Sequence, residues 1–406
     1  MKISLSEISR LLPIVKRRMA AKIIAFVEKI FSSDKLHRDV FGRNRERKVL
    51  LCGIPEAFDG KELPKYHSNF TETYSAAMAF DRLGYSVDCS SRTKRGIDYK
   101  GYDVVFGING NAFMGAFDAD EKDGILKIFY SVGAETCFNY RVTAQRNRDF
   151  HSRHGFWLLG SNRYIPGDPR NYYEANLSDA VITLGDGFVN RQFLEEEGNA
   201  AKYRMLPAFY FPVCKPVEKK EFDECKRHIL WFGSSGMIHK GLDIAIDFAV
   251  ENPDVTLHIC GGSRQETAFW RYYNPIMESH ANIVMHGFVD IESREFGEIL
   301  ARCGVLLNPS VSESGAVSVL NVLGNGALFP VCSKGTGLDL SSVGIEVDDV
   351  TYDSFSKALR EVLDMPGKAI EEKALAAHRL VREKYTLEKY QENMYRILKE
   401  IIENRD

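Results

Sequence analysis

The chain has 406 residues, more than one hydrophobic core of ordinary size can serve, and this length favours two domains. Hydrophobic residues make up 44% of it and charged residues 27%, which is typical of a soluble globular protein and excludes a low-complexity chain. Its apolar runs fall short of the roughly 18 residues that a membrane span needs, so we expect no transmembrane helix. We also expect no signal peptide, because no apolar core with a cleavage site follows the first basic residues.

The charge is unevenly spread along the chain. Residues 1–48 contain 13 Lys and Arg against 5 Asp and Glu, a net charge of +8, and the remainder carries −11. Apolar residues recur at helical spacing over residues 2–31 with basic residues between them, which predicts one or two amphipathic helices. A basic helix of this kind lies on an anionic membrane surface or packs against its own domain or a partner. The sequence leaves both alternatives open.

Strand patterns alternate with helical ones between residues 48 and 214, and this predicts a parallel, doubly wound sheet. The first strand spans residues 48–53, and Asn69 with Glu72 three residues on predicts a capping box for a helix over 73–83. His67 and Asn69 lie in the loop before that helix, where side chains commonly contact ligands. The further strands are expected over residues 85–88, 102–107, 126–130 and 179–184.

Three charged features of this half have competing interpretations. Asp118 and Asp120 form a DxD pair in a solvated acidic loop, and we expect no metal there because a lone carboxylate pair is a weak ligand set. Glu135 is either a substrate contact or an ordinary carboxylate at a helix start. Residues 146–154 form a basic run, for which we favour a solvated helix face over contact with an anion.

A charged segment over residues 215–227 separates this series from a second one and predicts an interdomain linker. Strand patterns follow over residues 228–232, 255–260, 283–285, 305–307 and 328–332, and amphipathic helices over 369–384 and 387–404. Eight cysteines are scattered along the chain without a CxxC pair, which predicts free thiols in a reducing cytosol. The predicted units are a helical extension over 1–47, domains over 48–214 and 215–385, and a C-terminal helix over 386–406.

Lys240 and Gly241 open a predicted helix after a strand pattern that ends at Gly233, and Ser234 lies in the loop between them. A cation at a helix start is mildly unfavourable next to the positive end of the dipole, so Lys240 suggests a bound phosphate. The alternative is a solvated surface lysine. Arg264, which follows the glycines after the next strand, is a second candidate cation for the same anion.

Glu313 lies between a strand pattern at residues 305–307 and an apolar helical run that begins at Val317. Open α/β sheets bind ligands outside the carboxyl ends of their strands, which is where this loop is expected. The helix start at Gly315, Ala316 and Val317 offers backbone N–H groups and the positive end of the dipole to an anion such as a diphosphate. The alternative is a carboxylate that merely complements the dipole.

These segments together resemble the retaining glycosyltransferases of the GT-B fold, specifically the family 4 group. The pattern in that group is a Glu, a Gly-Phe-Gly-like turn and a second acidic residue eight positions after the first. Here the Glu is Glu313 and the turn is Gly315-Ala316-Val317, but Asn321 stands in place of the second acid. Lys240 matches the lysine that neutralises the donor diphosphate. The resemblance covers roughly residues 48–400.

The resemblance implies an α/β fold of two doubly wound, Rossmann-like domains that face each other across a cleft. The C-terminal helix would cross back onto the first domain, and the second domain would bind the nucleotide-sugar donor. The implied donor contacts are Gly287 and Phe288 at the base, Asn321 at the ribose, and Gly233, Ser234, Lys240, Arg264, Gly315, Ala316 and Val317 around the diphosphate. The implied acceptor-side residues are His67, Asn69 and Glu135, the last standing near the place of a family histidine.

The implied function is transfer of a sugar from a nucleotide-diphosphate sugar to a saccharide or lipid-linked glycan, with retention, in cell-surface polysaccharide or glycoconjugate synthesis. Neither a metal nor another cofactor is expected, nor a nucleic-acid partner. We expect a cytoplasmic protein, peripheral on the inner face of the plasma membrane if residues 2–31 bind an anionic surface. The missing second acid, the missing family arginine and the missing histidine favour an alternative, a catalytically silent homologue that serves as a binding or scaffolding subunit.

Overall fold

The computed structural model describes residues 34–119, 124–158, 169–197, 199–214 and 220–405. The predicted amphipathic helices over 2–31 lie outside these ranges, as does Asp120 of the DxD pair. Within the described ranges the chain forms two parallel sheets, one of seven strands and one of six. Each sheet is covered by helices, so its strands are nearly continuous apolar runs.

The first sheet has the strand order β1-β3-β2-β4-β5-β6-β7, and its strands pair in parallel except for the short β1, which is antiparallel to β3. Its strands are β1 (Leu36–His37), β2 (Lys48–Gly53), β3 (Ser86–Ser91), β4 (Val104–Gly107), β5 (Leu126–Ser131), β6 (Ala180–Leu184) and β7 (Tyr203–Leu206). The helices of this half are α1 (Asn69–Arg82), α2 (Asn111–Asp118), α3 (Thr136–His154), α4 (Pro169–Leu177) and α5 (Gly187–Glu197).

The second sheet is parallel throughout, with the order β10-β9-β8-β11-β12-β13. Its strands are β8 (His228–Gly233), β9 (Thr256–Gly261), β10 (Ile283–Gly287), β11 (Val305–Asn308), β12 (Phe329–Ser333) and β13 (Ile345–Val347). Its helices are α6 (Phe222–Cys225), α7 (Leu242–Glu251), α8 (Thr267–Glu278), α9 (Arg294–Arg302), α10 (Val317–Asn325), α11 (Tyr352–Asp364) and α12 (Gly367–Lys384), and α13 (Leu387–Glu403) follows.

The strand order reverses once in each sheet, between β2 and β4 in the first and between β8 and β11 in the second. At such a point the connections on either side leave in opposite directions and open a crevice outside the carboxyl ends of the strands. The two crevices are therefore the places in this fold where a ligand is expected.

The last helix returns to the first sheet. α13 packs against α1 and β7, and the hydroxyl groups of Tyr390 and Tyr130 lie 3.0 Å apart. This is the crossing that the GT-B resemblance implies. This packing attaches the C-terminal helix to the domain built by the N-terminal half of the chain.

Two local predictions in the first half are wrong. Leu36–His37 pairs with β3, so these residues belong to the sheet and the predicted helical extension cannot run to residue 47. The first helix begins at Asn69, and its N-cap is Ser68 without a side-chain capping bond. The predicted capping box fails because Glu72 turns into the core, where the Tyr130 hydroxyl donates to it at 3.1 Å.

The buried Glu72 predicts a pH-dependent stability. Burial raises the pKa of its carboxyl from 4.5 to about 7, partly offset by hydrogen bonds from Ser68 and Tyr130. Because folding raises this pKa, the contribution of Glu72 is fully present below about pH 4.5 and is lost as the pH rises through 7, a change of about 3 kcal/mol. We therefore expect Glu72→Gln to match wild type near pH 5 and to exceed its unfolding free energy near pH 8 by about that amount.

Urea denaturation at the two pH values measures this difference. Glu388→Gln, an exposed change on α13, is the matched control and should follow wild type at both. An unchanged pH dependence in the Glu72 variant would show that this carboxyl is not the source.

Candidate functional site

Lys240 and Glu313 lie at the crevice of the second sheet. Lys240 is in the loop after β8, and Glu313 is in the loop after β11. The two loops meet at Gly241, whose φ of +63° is left-handed and whose added Cβ would lie 2.4 Å from Pro309 Cγ. Only glycine permits this approach. Gly241 thus sets the spacing between the two predicted residues.

Lys240 and Glu313 form an ion pair. Lys240 Nζ donates to the Glu313 carboxylate, and the Ser310 hydroxyl donates to the same oxygen at 2.9 Å. The two side chains are only 7% and 14% exposed, so their attraction is less screened than that of a surface pair. Lys240 is therefore not the solvated surface lysine of the alternative interpretation. An ammonium beside a carboxylate offers one contact for an anion and another for sugar hydroxyl groups.

The loop at Gly233 and Ser234 is held within the protein. The carbonyl oxygens of these two residues accept from the N–H groups of Gly262 and Ser263 at 3.1 and 3.0 Å. Further along the same loop, the buried carboxylate of Glu266 accepts from the N–H groups of Gly236 and Met237, the latter at 2.9 Å. A diphosphate contact at Gly233 and Ser234 stays a prediction. A diphosphate there would lie near the Glu266 carboxylate. Glu266 could not be singled out from the sequence, because it follows a strand pattern as many exposed glutamates do.

The Glu313 loop presses against the first domain. The Ser314 hydroxyl donates to the carbonyl of Leu184, and the N–H of Asp186 donates to the carbonyl of Gly337 at 3.0 Å. Gly315 has a φ of +68°, and a Cβ there would lie 2.6 Å from Ala208 Cβ. The start of α10, at Ala316 and Val317, is therefore at the boundary between the two domains.

Asn321 has a structural contact that the sequence did not reveal. Its side chain is buried, and its Oδ1 accepts from the N–H of Phe211 at 2.8 Å. One helical turn on, Asn325 Oδ1 accepts from the N–H groups of Val213 and Cys214 at 2.8 and 3.0 Å. The two amides hold the segment that joins the sheets, so a ribose hydroxyl at Asn321 would have to compete for an oxygen already in use.

The other predicted donor residues lie towards the edge of the second sheet. The Arg264 guanidinium stacks over the Trp270 ring at 4.1 Å from its centroid, and its Nη1 lies 3.4 Å from Asn274 Oδ1. Gly287 ends β10 with a φ of +73°, and a Cβ there would meet no protein atom within 4 Å. Phe288 follows it, half-buried. A base at Gly287 and Phe288 therefore stays a prediction with room for a ligand.

His67 and Asn69 lie at the crevice of the first sheet, in the loop after β2 and at the start of α1. The N–H of Asn69 donates to His67 Nδ1 at 3.4 Å, and burial, with a smaller effect from Arg92, lowers the pKa of His67 to about 4. His67 is therefore neutral at physiological pH. Arg92 after β3 donates to Asn109 after β4 at 3.3 Å, and sequence reasoning missed both residues.

Glu135 is the N-cap of α3. Its two carboxylate oxygens accept from the N–H groups of Cys137 and Phe138 at 2.9 and 2.6 Å, and its side chain is buried. This contact matches the alternative of a helix-start carboxylate. It does not support Glu135 as a stand-in for the family histidine.

The basic run at residues 146–154 is not a solvated face. Arg146 and Asp243 are both fully buried and form an ion pair. Arg153 donates to Asp243 at 2.8 Å and to Asp247 at 2.6 Å, and His154 Nε2 lies 3.1 Å from Asp247. The prediction failed because the matching carboxylates, four residues apart on α7, lie about a hundred residues further along the chain.

Among the residues that the structure describes, no three potential ligand side chains are arranged to hold a metal ion. In the same ranges, none of the helices has the length and apolar character needed to cross a membrane.

No protein-family model matches this sequence, and no curated protein does. Solved structures match its fold. A sucrose-phosphate synthase from Thermosynechococcus elongatus superposes with a TM-score of 0.64 at 12% identity, over 88% of this chain and 100% of that one. The chain has the GT-B fold.

Two further GT-B structures give similar agreement. Anabaena HepE in complex with UDP and glucose has a TM-score of 0.56 at 11% identity, covering 87% of this chain and 99% of that one. TarM has a TM-score of 0.51 at 13% identity, covering 80% of this chain and 58% of that one. The present chain thus spans little more than half the length of TarM. The predicted fold class of two facing doubly wound domains is confirmed, while membership of family 4 stays a prediction.

Proposed function

We propose that this protein transfers a sugar from a nucleotide-diphosphate sugar to a saccharide or lipid-linked glycan, in the synthesis of cell-surface polysaccharide or glycoconjugate. The observation that carries the proposal is the buried pair of Lys240 and Glu313 at the crevice of the second sheet. A GT-B protein of similar structure, HepE, is described in complex with UDP-glucose, which supports a nucleotide-sugar donor.

In the proposed mechanism the donor lies mainly on the second domain. The Lys240 ammonium and the N–H groups at the start of α10 stabilise the negative charge that develops on the diphosphate as the glycosidic bond breaks. Glu313 accepts hydrogen bonds from sugar hydroxyl groups and orients the ring. The base lies near Gly287 and Phe288.

The proposed acceptor approaches from the crevice of the first sheet, at His67 and Asn69, and attacks from the face that the leaving group vacates, so that configuration is retained. No metal is needed in this scheme, because Lys240 and the helix start neutralise the leaving group. The proposed place of action is the cytoplasmic face of the plasma membrane, with residues 2–31 on an anionic surface.

A second candidate is a catalytically silent scaffold of the same fold. It is favoured by Glu266, whose carboxylate already accepts from Gly236 and Met237 in the loop after β8. It is also favoured by Asn321, whose amide is engaged with the segment between the sheets. A scaffold would bind no nucleotide, so nucleotide binding separates the two candidates.

A thermal-shift screen with UDP, GDP, CDP, ADP and dTDP tests this proposal. A ligand at about a hundred times its dissociation constant stabilises a protein by roughly 2.7 kcal/mol, which raises the melting temperature by a degree or more. We expect one nucleotide to give this shift, and Lys240→Met to lose it. Lys368→Met, a change of an exposed lysine in the second domain, is the matched control and should keep it. Absence of a shift with every nucleotide would make the scaffold the better candidate.

A further inference from the structure

We infer that Thr143, a residue of α3, is a positioning residue for the donor site, which it reaches through His239. The expected effect on catalysis rests on the proposed function. The contact between Thr143 and His239 does not depend on that function. Thr143 contacts His239, the residue directly before Lys240. It acts on the short loop that presents Glu313.

α3 belongs to the first half of the chain, but its buried face, here called its stripe, packs in the second domain. The buried residues of α3 are Thr143, Arg146 and Phe150, spaced three and four residues apart so that they share one face. Arg146 pairs with Asp243 of α7, and Phe150 is part of the hydrophobic core of the second domain. α3 is therefore fastened to the domain that carries the proposed donor site.

Thr143, the first residue of this stripe, is linked to the Glu313 loop through the imidazole ring of His239. His239 Nε2 lies 2.8 Å from the carbonyl oxygen of Ser312, and the Thr143 hydroxyl lies 3.0 Å from His239 Nδ1. A carbonyl can only accept, so Nε2 carries the proton and donates. In the neutral ring Nδ1 then accepts from the hydroxyl of Thr143. The Ser312 carbonyl thus selects the tautomer, and the bond from the Thr143 hydroxyl holds the orientation of a ring that is 1% exposed.

His239 braces the loop at two successive residues. Its backbone carbonyl accepts from the N–H of Val311 at 3.0 Å, and its ring donates to the carbonyl of Ser312. The next residue along each segment completes the site, because Lys240 follows His239 and Glu313 follows Ser312. A ring that turns or changes tautomer therefore loosens the loop directly before the Glu313 carboxylate.

This arrangement predicts a change in turnover without a change in donor binding. A displacement of about 1 Å in a group that orients a substrate can lower the rate by about 100-fold. We expect Thr143→Val, which keeps the shape and removes the hydroxyl, to lower kcat roughly 10- to 100-fold. The KM for the donor should stay near that of wild type, since Lys240 is untouched. Thr143→Ser keeps the hydroxyl and should restore kcat.

Hydrogen–deuterium exchange of the backbone over residues 309–316 provides a readout that needs no activity. Exchange there should be faster in Thr143→Val than in wild type, and near wild type in Thr143→Ser. Ser152→Ala, an exposed change on the same helix, is the matched control and should have no effect. Thr143→Ala replaces the valine variant if the added methyl group prevents folding.

Unchanged exchange over residues 309–316 in Thr143→Val and Thr143→Ala would overturn the inference, whatever the activity. A variant with a raised KM and an unchanged kcat would overturn it as well. Faster exchange in a protein that binds no nucleotide would support the bracing contact and reject the proposed function, so the two failures are distinguishable.

Discussion

Glu313→Gln is expected to lower kcat for sugar transfer by about 100-fold while nucleotide affinity stays within a few-fold of wild type. Glutamine keeps the shape of the side chain and its contact with the Ser310 hydroxyl, but it loses the charge. Charge-assisted hydrogen bonds are roughly twice as strong as neutral ones, so the sugar hydroxyl groups are held less firmly. Lys240 loses its carboxylate partner and remains available to the diphosphate, which explains why binding should persist.

Steady-state kinetics with the donor that binds, together with calorimetric titration of its nucleoside diphosphate, separate these two effects. Glu298→Gln, in an exposed pair with Arg294 on α9, is the matched control and should behave as wild type. A Glu313 variant with full turnover would show that this carboxylate only complements the helix dipole.

Asp243→Asn is expected to lower the free energy of unfolding by about 3 kcal/mol. Asp243 accepts from Arg146 and Arg153, and both Asp243 and Arg146 are fully buried. Loss of the carboxylate charge leaves the Arg146 guanidinium desolvated, and Asp149, on its own helix, is then its one anionic partner among the described residues. The cost of a buried charge without adequate compensation is what makes this change severe.

Urea denaturation compares this variant with Asp254→Asn, which alters an exposed pair with Arg227 and should shift stability by less than about 1 kcal/mol. Equal unfolding free energies for the two variants would contradict the importance of the buried pair. Such a result would also weaken the view that α3 is fastened to the second domain.

The two sheets, and the loops that carry Lys240 and Glu313, could be predicted from the sequence. Buried parallel strands give continuous apolar runs that are visible without a structure. Lys240 and Glu313 each follow such a run, and parallel strands place their carboxyl ends on one edge. Their nearness could therefore be expected, although their ion pair and the Ser310 hydroxyl on the same oxygen could not.

The sequence was not sufficient for contacts between the halves of the chain. The stripe of α3 has helical spacing, but spacing does not say which domain covers it, and Arg146 consequently looked solvated. Asn321 looked like a weakened ribose contact because its partner is a backbone N–H at Phe211, and backbone groups leave no mark in a sequence. The strand Leu36–His37 has only two residues, too few for a periodic pattern.

The most direct test of sugar transfer is the release of nucleoside diphosphate from a panel of nucleotide sugars, with wild type and Glu313→Gln side by side. Retaining transferases that hold the donor in a reactive geometry hydrolyse it slowly when water takes the place of the acceptor. We predict that wild type releases the diphosphate from one donor of the panel and that Glu313→Gln releases it about 100-fold more slowly. If wild type releases diphosphate no faster than Glu313→Gln does with every donor of the panel, glycosyl transfer is contradicted. The better candidate is then a scaffold with the GT-B fold.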